Sequence, residues 1–251
     1  MNKLILATGS NLNYLHKMTP YLKSIESNSN FDSNYLVFLG DDELKMKYQK
    51  IRICNVYEKD LEVVPSNYCI QHGEFLKSQK MNEETNDNDV IFFTDGDIKI
   101  QRPLSEDEIK LFKNFNDDDI YVGYNASPTD TLHDESLRLG IKNVESELLK
   151  LDLTKIKVYN TGVLAMNKKT WLKLMNQFIE TYSLVDSTFH HYAKQQWLLS
   201  LLINTKGYNV YEMPYDIHNH LHYPSPVGTT QDSNGDVFYN NKKVLFKHKW
   251  D

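Results

Sequence analysis

The sequence predicts an α/β domain built on a mostly parallel sheet, because short apolar runs alternate with longer amphipathic segments. Six apolar runs have the length of strands: Leu4 to Ala7, Tyr35 to Leu39, Ile51 to Val56, Val90 to Phe93, Ile120 to Tyr124 and Gly162 to Met166. Four segments repeat apolar residues every three or four positions and predict helices: Asn11 to Ser27, Ile70 to Lys80, Lys168 to Tyr182 and His190 to Ile203. Each strand therefore has a helix to pack against.

The size and charge of the chain limit what it can be. At 251 residues and 40% hydrophobic content it can bury one substantial core, and no change in composition marks a second. We therefore predict a single domain over residues 1–251, either alone or within a longer protein. The formal charge of −6 and the scattered lysines provide no basic surface for a polyanion, which argues against nucleic acid as a partner.

The cysteines and the N-terminus bear on the compartment. Only two cysteines occur, Cys54 and Cys69, without the paired spacing of a metal knuckle or redox motif, which favours a reducing compartment. The apolar run after the N-terminus is too short for a signal peptide core or a bilayer span. These features predict a cytoplasmic protein with no membrane span.

Residues 224–241 are rich in Gly, Pro, Ser, Asn and Asp. This composition predicts an irregular loop, a lid or a connection, with a small turn centred on Gly235.

The segment VIFFTDGDIKIQRP contains the most informative motif, because its apolar run ends in Asp95, Gly96 and Asp97. Such a run is typical of a strand buried on both faces, and open α/β sheets bind ligands at the carboxyl ends of their strands. The two carboxylates face one point if the chain stays extended, and Gly96 leaves room for a close approach. Oxygen ligands at this spacing suit Mg²⁺ or Mn²⁺ bound together with phosphate.

Two other interpretations of this motif compete with a metal site. Asp-Gly between β-prone runs also signals a tight hairpin, although VIFF is uniformly apolar whereas DIKIQRP alternates, so the flanks do not look like partners in one ribbon. The motif also resembles that of haloacid dehalogenase-type phosphatases, in which Asp95 would be the nucleophile. In that family the motif opens the domain, whereas here a long α/β stretch precedes it.

Together with three later segments, FFTDGDIKIQRPL resembles the D-x-D strand of GT-A-fold glycosyltransferases, in particular the glycogenin and bacterial lipopolysaccharide galactosyltransferase group. The later segments, in the order of that family, are VYNTGVLAMNKKTW, HHYAKQQWLLSLLI and the closing FKHKW. The resemblance covers nearly the whole chain. It implies the GT-A fold, a Rossmann-like α/β architecture with a central, mostly parallel mixed sheet flanked by helices.

The resemblance also implies an activity, the transfer of a hexose or deoxyhexose from a nucleoside diphosphate, UDP rather than GDP, to a glycan acceptor. In that family two aspartates and a late histidine ligate Mn²⁺, which carries over to Asp95, Asp97 and His248, with Mg²⁺ as the alternative ion. The chemistry supports a metal independently of the family. A departing nucleoside diphosphate gains negative charge, which a divalent cation between its phosphates stabilises.

Further contacts follow from the same resemblance. The nucleotide is expected at Ala7, Thr8, Gly9, Asn11, Tyr14, Asp95 and Lys249, with Tyr14 placed to stack on the base. The sugar and the acceptor are expected at Gln71, His72, Gly96, Thr161, Gly162 and His220.

The expected catalytic residues depend on the stereochemistry of the transfer. Gln195 and Gln196 stand where retaining members carry an amide or carboxyl group near the anomeric carbon, and Asn160 would face the donor sugar. The family has Asp-Gln at this position, and the two glutamines are also explained as the polar face of a helix. An inverting enzyme needs a general base that deprotonates the acceptor hydroxyl. The candidates for this base are Asp130, His133 and Asp134. Retention and inversion both stay open.

Two alternatives concern other features of the chain. HNHLHY sets His218, His220 and His222 at alternate positions, where an extended strand would project all three to one side, as in a three-histidine zinc site. A sugar-binding module that keeps the fold without turnover is the non-enzymatic alternative. Nucleotidyl transfer is disfavoured, because the first strand ends in ATGSN rather than in a glycine-rich phosphate loop.

Overall fold

The computed structural model of the chain describes residues 2–11, 18–39, 61–64, 73–125, 129–139, 151–182, 191–220 and 225–248. The strand predicted at residues 51–56 and both cysteines lie outside these residues.

Thirteen strands are described, and they are numbered in chain order. They are β1 (Leu4–Asn11), β2 (Ser33–Leu39), β3 (Leu61–Val64), β4 (Val90–Thr94), β5 (Ile98–Ile100), β6 (Asp119–Gly123), β7 (Asn160–Asn167), β8 (Asn209–Glu212), β9 (His218–His220), β10 (Thr229–Gln231), β11 (Val237–Tyr239), β12 (Lys242–Lys243) and β13 (Phe246–His248).

The described helices are numbered in the same way. They are α1 (Thr19–Asn28), α2 (Gln79–Glu84), α3 (Glu106–Lys113), α4 (Leu132–Leu139), α5 (Lys168–Tyr182) and α6 (His191–Thr205), with 3₁₀ turns at Glu74–Lys77 and Leu153–Lys155. Both helices predicted in the second half of the chain are confirmed. The first helix begins later than predicted, at Thr19, where Pro20 occupies the first turn and needs no intrahelical N–H partner. Among the described residues no helix is both long and apolar enough to cross a bilayer.

Seven of the described strands form the central sheet, in the order β3-β2-β1-β4-β7-β6-β8. β1 pairs in parallel with β2 and β4, and β6 in parallel with β8, whereas β7 runs antiparallel to β4 and β6. The predicted α/β architecture with a mostly parallel mixed sheet is therefore confirmed. Because β7 runs against its neighbours, its first residues lie at the edge where β1, β4 and β6 end.

β4 lies in the centre of this sheet and is buried along its whole length. Val90 and Phe92 pack into one apolar cluster, while Ile91 and Phe93 pack into the other on the opposite face. This alternation follows from the two-residue period of a strand, and it confirms the prediction of burial on both faces. A strand held on both sides delivers the residue after Thr94 to a fixed place.

β5 does not pair with β4, although only three residues separate the two strands. It belongs to a second sheet, ordered β5-β13-β9, in which β13 is antiparallel to β5 and parallel to β9. The hairpin interpretation of Asp95 and Gly96 is therefore wrong. The different apolar patterns of the two flanks reflect strands that belong to different sheets.

The described part of the Gly- and Pro-rich segment, residues 225–241, is more regular than predicted. β10, β11 and β12 form an antiparallel meander, with Gly235 at a φ of 79° between the first two strands. Asn240 and Asn241 adopt φ values of 47° and 65° and form the tight turn between β11 and β12. The prediction of an irregular loop was wrong because asparagines with positive φ are turn formers within hairpins, while the Gly235 turn is confirmed.

A buried ion pair connects the second sheet to α3. The Arg102 guanidinium donates to both carboxylate oxygens of Glu108 at 2.7 Å and to the carbonyl of Lys243 at 2.7 Å. Burial alone would raise the pKa of Glu108. The hydrogen bonds from Arg102 and from the Ser105 N–H outweigh this effect and lower the pKa from an ordinary 4.5 to about 2. The ionised carboxylate is therefore favoured by the folded state.

We expect Glu108→Gln to lower the free energy of unfolding at pH 7 by on the order of 3 kcal/mol, because the native pKa is depressed by more than two units. A depressed pKa contributes stability above the unfolded pKa, so the difference from wild type should disappear as the pH falls from 4.5 towards 2. Urea unfolding at several pH values measures this.

The matched control is Asp152→Asn. The pKa of Asp152 is also lowered to about 2, first by a hydrogen bond from Lys155, but this carboxylate is exposed to solvent. Solvent screens exposed pairs, so the control should leave stability at pH 7 unchanged. An equal loss in both variants would contradict a specific role for the buried pair.

Candidate metal site

Asp95, Gly96 and Asp97 form a turn between β4 and β5. The carbonyl of Asp95 accepts from the Ile98 N–H at 3.2 Å, so the segment turns rather than staying extended as the sequence predicted. The Asp95 N–H donates to the carbonyl of Gly162 at 2.8 Å, which fixes the start of the turn against β7. The turn still places both carboxylates on one side, close to each other.

His248 reaches this turn through the register of the second sheet. Pairing of β13 with β5 places His248 opposite Ile98, the residue after Asp97. His248 Nε2 lies 3.4 Å from Asp97 Oδ1, and the ring is 4% exposed whereas the Asp97 side chain is 42% exposed. The ligand atoms of Asp95, Asp97 and His248 all lie within 4.8 Å of one another. The structure thus brings the three predicted metal ligands together.

The glycine that this convergence requires is Gly162. A Cβ added there would lie 2.4 Å from Cε1 of His248 and 2.9 Å from Oδ2 of Asp95. At Gly96, by contrast, a Cβ would meet only the flexible side chain of Met18, at 3.0 Å. The metal group therefore requires the absence of a side chain at Gly162, while the close approach of a ligand at Gly96 stays a prediction.

This group fits a divalent cation. Two carboxylates and one imidazole are donors that Mn²⁺ accepts, and Mg²⁺ would use the oxygens. The half-exposed Asp97 faces solvent while His248 closes the protein side. A cation held by all three would keep positions free for ligands from outside.

The end of β1 lies beside the metal group. Ala7 pairs with Phe93 of β4, which sets Thr8 and Gly9 level with Thr94 and Asp95. Ala7 and Thr8 are buried, and the Thr8 hydroxyl donates to the carbonyl of Thr94. The Thr8 side chain therefore holds the two strand ends together. The predicted nucleotide contacts of Ala7, Thr8 and Gly9 stay predictions.

Several predicted contacts lie where the structure gives no side chain. Asn11 ends β1 and His220 ends β9, with only their backbones described. The others lie outside the described residues: Tyr14, Gln71, His72 and Lys249. Their assignments stay predictions.

The first residues of β7 stand beside the metal group. The Asn160 side-chain oxygen accepts from the Gly162 N–H at 2.9 Å, and Thr161 is buried. Asn160 therefore fixes the backbone at the start of β7, next to Gly162. Its predicted contact with the donor sugar stays a prediction.

The predicted catalytic residues occupy α6 and the start of α4. Gln195 is buried and Gln196 half-buried. Asp130 forms an ion pair with Arg138, and Asp134 accepts hydrogen bonds from Thr131 that lower its pKa. The roles of Asp130, His133 and Asp134 as candidate bases stay predictions.

Sequence reasoning did not foresee the position of His218. The residue is fully buried, and its Nε2 lies 3.2 Å from Nδ1 of His248. The three-histidine zinc alternative also needs the His220 side chain and His222, neither of which is described, so it stays a prediction. The described neighbour of His218 is His248, thirty residues away in the chain. Only the parallel pairing of β9 with β13 brings the two rings together.

Comparison with known proteins bears on the fold. No protein-family model matches the chain, and no curated protein matches it significantly. The galactosyltransferase LgtC, in complex with donor and acceptor sugar analogues, aligns at 14% identity over 99% of this chain and 87% of that one, with a TM-score of 0.53. An active-site mutant of LgtC aligns at 14% identity with the same coverage and a TM-score of 0.54.

The chain has the GT-A fold. The apo structure of mouse xyloside xylosyltransferase 1 also aligns, at 13% identity over 99% of this chain and 97% of that one, but its TM-score of 0.47 adds no argument. At such low identity these structures establish architecture, and the chemistry of this GT-A chain has to be argued from its own residues.

Proposed function

We propose that this chain is a metal-dependent glycosyltransferase that moves a sugar from a nucleoside diphosphate, UDP in the first instance, to a glycan acceptor. The observation that carries the proposal is the convergence of Asp95, Asp97 and His248 at the ligand-binding edge of a GT-A sheet. The GT-A fold leaves the haloacid dehalogenase alternative without support, because that phosphatase chemistry belongs to a different scaffold.

Charge makes the metal necessary to this function. Two neighbouring carboxylates repel a diphosphate, so a nucleotide binds beside them only if a cation offsets both sets of charge. When bound, Mn²⁺ or Mg²⁺ acts as a Lewis acid on the diphosphate leaving group. Asp95 and Asp97 supply the charge that retains the cation, and His248 presents its Nε2 from a buried position.

The remaining roles extend the same proposal. Gly9 and Asn11 lie near the expected nucleotide site, while Thr161 and Gly162 lie at the start of β7, where the donor sugar would rest. Gln195 or Gln196 would act near the anomeric carbon in a retaining enzyme, and Asp130 is the candidate base in an inverting one. NMR of the product anomer distinguishes these outcomes, because retention favours the glutamines and inversion removes their role.

Calorimetry with UDP tests the proposal directly. We expect UDP to bind in the presence of Mn²⁺ and to lose most of its affinity when the metal is chelated, since the two carboxylates then face the diphosphate unshielded. UMP, which lacks the second phosphate, is the matched control and should show a much weaker metal dependence.

Equal UDP affinity with and without Mn²⁺ would contradict the proposal. A panel of UDP-sugars scored by metal-dependent hydrolysis then identifies the donor. Binding without any hydrolysis or transfer would instead support the non-catalytic sugar-binding alternative.

A further inference from the structure

The two ring nitrogens of His248 face different partners. Nε2 lies 3.4 Å from Asp97 Oδ1, on the side of the metal group. Nδ1 lies 3.2 Å from Nε2 of His218, inside the protein. His218 is therefore in direct contact with a proposed metal ligand, through the ring nitrogen of His248 that faces away from Asp97.

Metal binding by His248 requires one of the two tautomers that this contact allows. A neutral imidazole has one nitrogen with a proton and one with a lone pair, and only the lone pair binds a metal. For Nε2 of His248 to bind a cation, its proton must sit on Nδ1, and a buried N–H needs an acceptor. Nε2 of His218 is that acceptor when His218 carries its own proton on Nδ1. Because Nδ1 of His218 is itself buried, this arrangement is favoured over the opposite one only while a cation binds Nε2 of His248.

We propose that His218 is a positioning residue that holds His248 in the tautomer and orientation required for metal binding. The inference rests on the proposed function, because it assumes that His248 is a metal ligand. Partners of this kind typically change metal affinity by 10- to 100-fold.

The surroundings of His218 restrict its ring. A Cβ added to Gly123 would lie 2.7 Å from Cε1 and 2.8 Å from Nδ1 of His218, so β6 has a glycine where the ring passes. The pairing of β6 with β7 is irregular between Val122 and Gly123, at the same place. The His218 N–H donates to the carbonyl of Pro214 at 3.0 Å. The backbone bond fixes the main chain of His218, and the contact with Gly123 of β6 limits the rotation of its ring.

The backbone pairing sets the relation between the two histidines. His218 pairs with Phe246 in parallel β9 and β13, so His218 and His248 are diagonal neighbours across the two strands. Their ring centroids are 5.4 Å apart. Side-chain positions fixed by strand register move little when a ligand arrives, which suits a group that pre-orients another.

Two substitutions separate the hydrogen bond from the packing. His218→Leu keeps an apolar volume but removes the acceptor, whereas His218→Gln keeps an amide oxygen near the position of Nε2. We expect the leucine variant to bind Mn²⁺ 10- to 100-fold more weakly than wild type and the glutamine variant to recover most of that loss. Electron paramagnetic resonance of free Mn²⁺, alone and with UDP, measures the affinity.

The preference for Mn²⁺ over Mg²⁺ is a second readout. Mn²⁺ accepts nitrogen ligands more readily than Mg²⁺ does. If His248 loses its orientation in His218→Leu, the affinity for Mn²⁺ should therefore fall more than the affinity for Mg²⁺. A merely structural role would lower the melting temperature of the metal-free variant without changing the ratio of the two affinities.

The outcomes distinguish the inference from the proposed function. A folded His218→Leu with unchanged Mn²⁺ affinity overturns the inference and leaves the function standing. Absence of Mn²⁺ binding by wild type, alone and with UDP, overturns both. If the leucine variant fails to fold, long-range ¹H–¹⁵N spectra of the wild type with Mg²⁺ and UDP decide. Protons on Nδ1 of both histidines support the inference, and a proton on Nε2 of His218 overturns it.

Discussion

Asp97→Asn is expected to reduce sugar transfer about 1,000-fold, equivalent to about 4 kcal/mol of transition-state stabilisation. The substitution keeps the size of the side chain and removes one of the two negative charges that retain the cation. Because Asp97 is 42% exposed, the change should leave the fold intact. Initial rates at saturating Mn²⁺ and UDP-sugar, beside the Mn²⁺ affinity of the variant, measure the effect.

The matched control for Asp97→Asn is Glu26→Gln. Glu26 is an exposed carboxylate on α1, outside the metal group. Its neutralisation changes the net charge of the chain by the same amount and should leave both rate and affinity unchanged. Retention of full activity by Asp97→Asn would contradict a role for this carboxylate in catalysis.

Gly162→Ala should have the second large effect, on metal binding and stability together. The added methyl group would lie 2.4 Å from His248 Cε1 and 2.9 Å from Asp95 Oδ2, so at least one ligand has to move. Overpacking of a buried site costs about 1–3 kcal/mol of stability. We expect Mn²⁺ affinity to fall by about 10- to 100-fold, as for other displaced ligands.

Gly207→Ala controls for strain without contact. Gly207 has a φ of 80°, and a Cβ there would meet nothing within 4 Å. Alanine at positive φ is destabilising, so this variant should lose stability while its Mn²⁺ affinity stays that of wild type. If both glycine variants lost stability alone, with metal binding intact, the crowding at Gly162 would have no functional meaning.

The sequence predicted five of the seven described strands of the central sheet because those five carry strong local signals, whereas the edge strands β3 and β8 were not predicted. VIFF is apolar at every position, and such a run in an α/β chain has few alternatives to a buried central strand. α5 was predicted with its observed bounds, since its apolar period is long and ends cleanly. The predicted ends of helices and strands were wrong where turn-forming residues determine them, as at Pro20 and at Asn240 and Asn241.

The candidate site was partly predictable for a different reason. Only Gly96 separates Asp95 from Asp97 in the sequence, so the end of one strand was enough to predict that the two carboxylates lie close together. Their meeting with His248 was implied by resemblance and could not be derived from spacing, because it depends on the register of β13 with β5. His218 and Gly162 matter through contacts between strands that are distant in the chain, and single-sequence patterns contain no such pairings.

Anomalous diffraction from crystals grown with Mn²⁺ and UDP tests the central claim most directly. The proposed function predicts a manganese peak in contact with Asp95, Asp97 and His248, with the diphosphate completing the coordination on the solvent side. A manganese peak elsewhere, or a bound nucleotide with no metal beside these three residues, would contradict it.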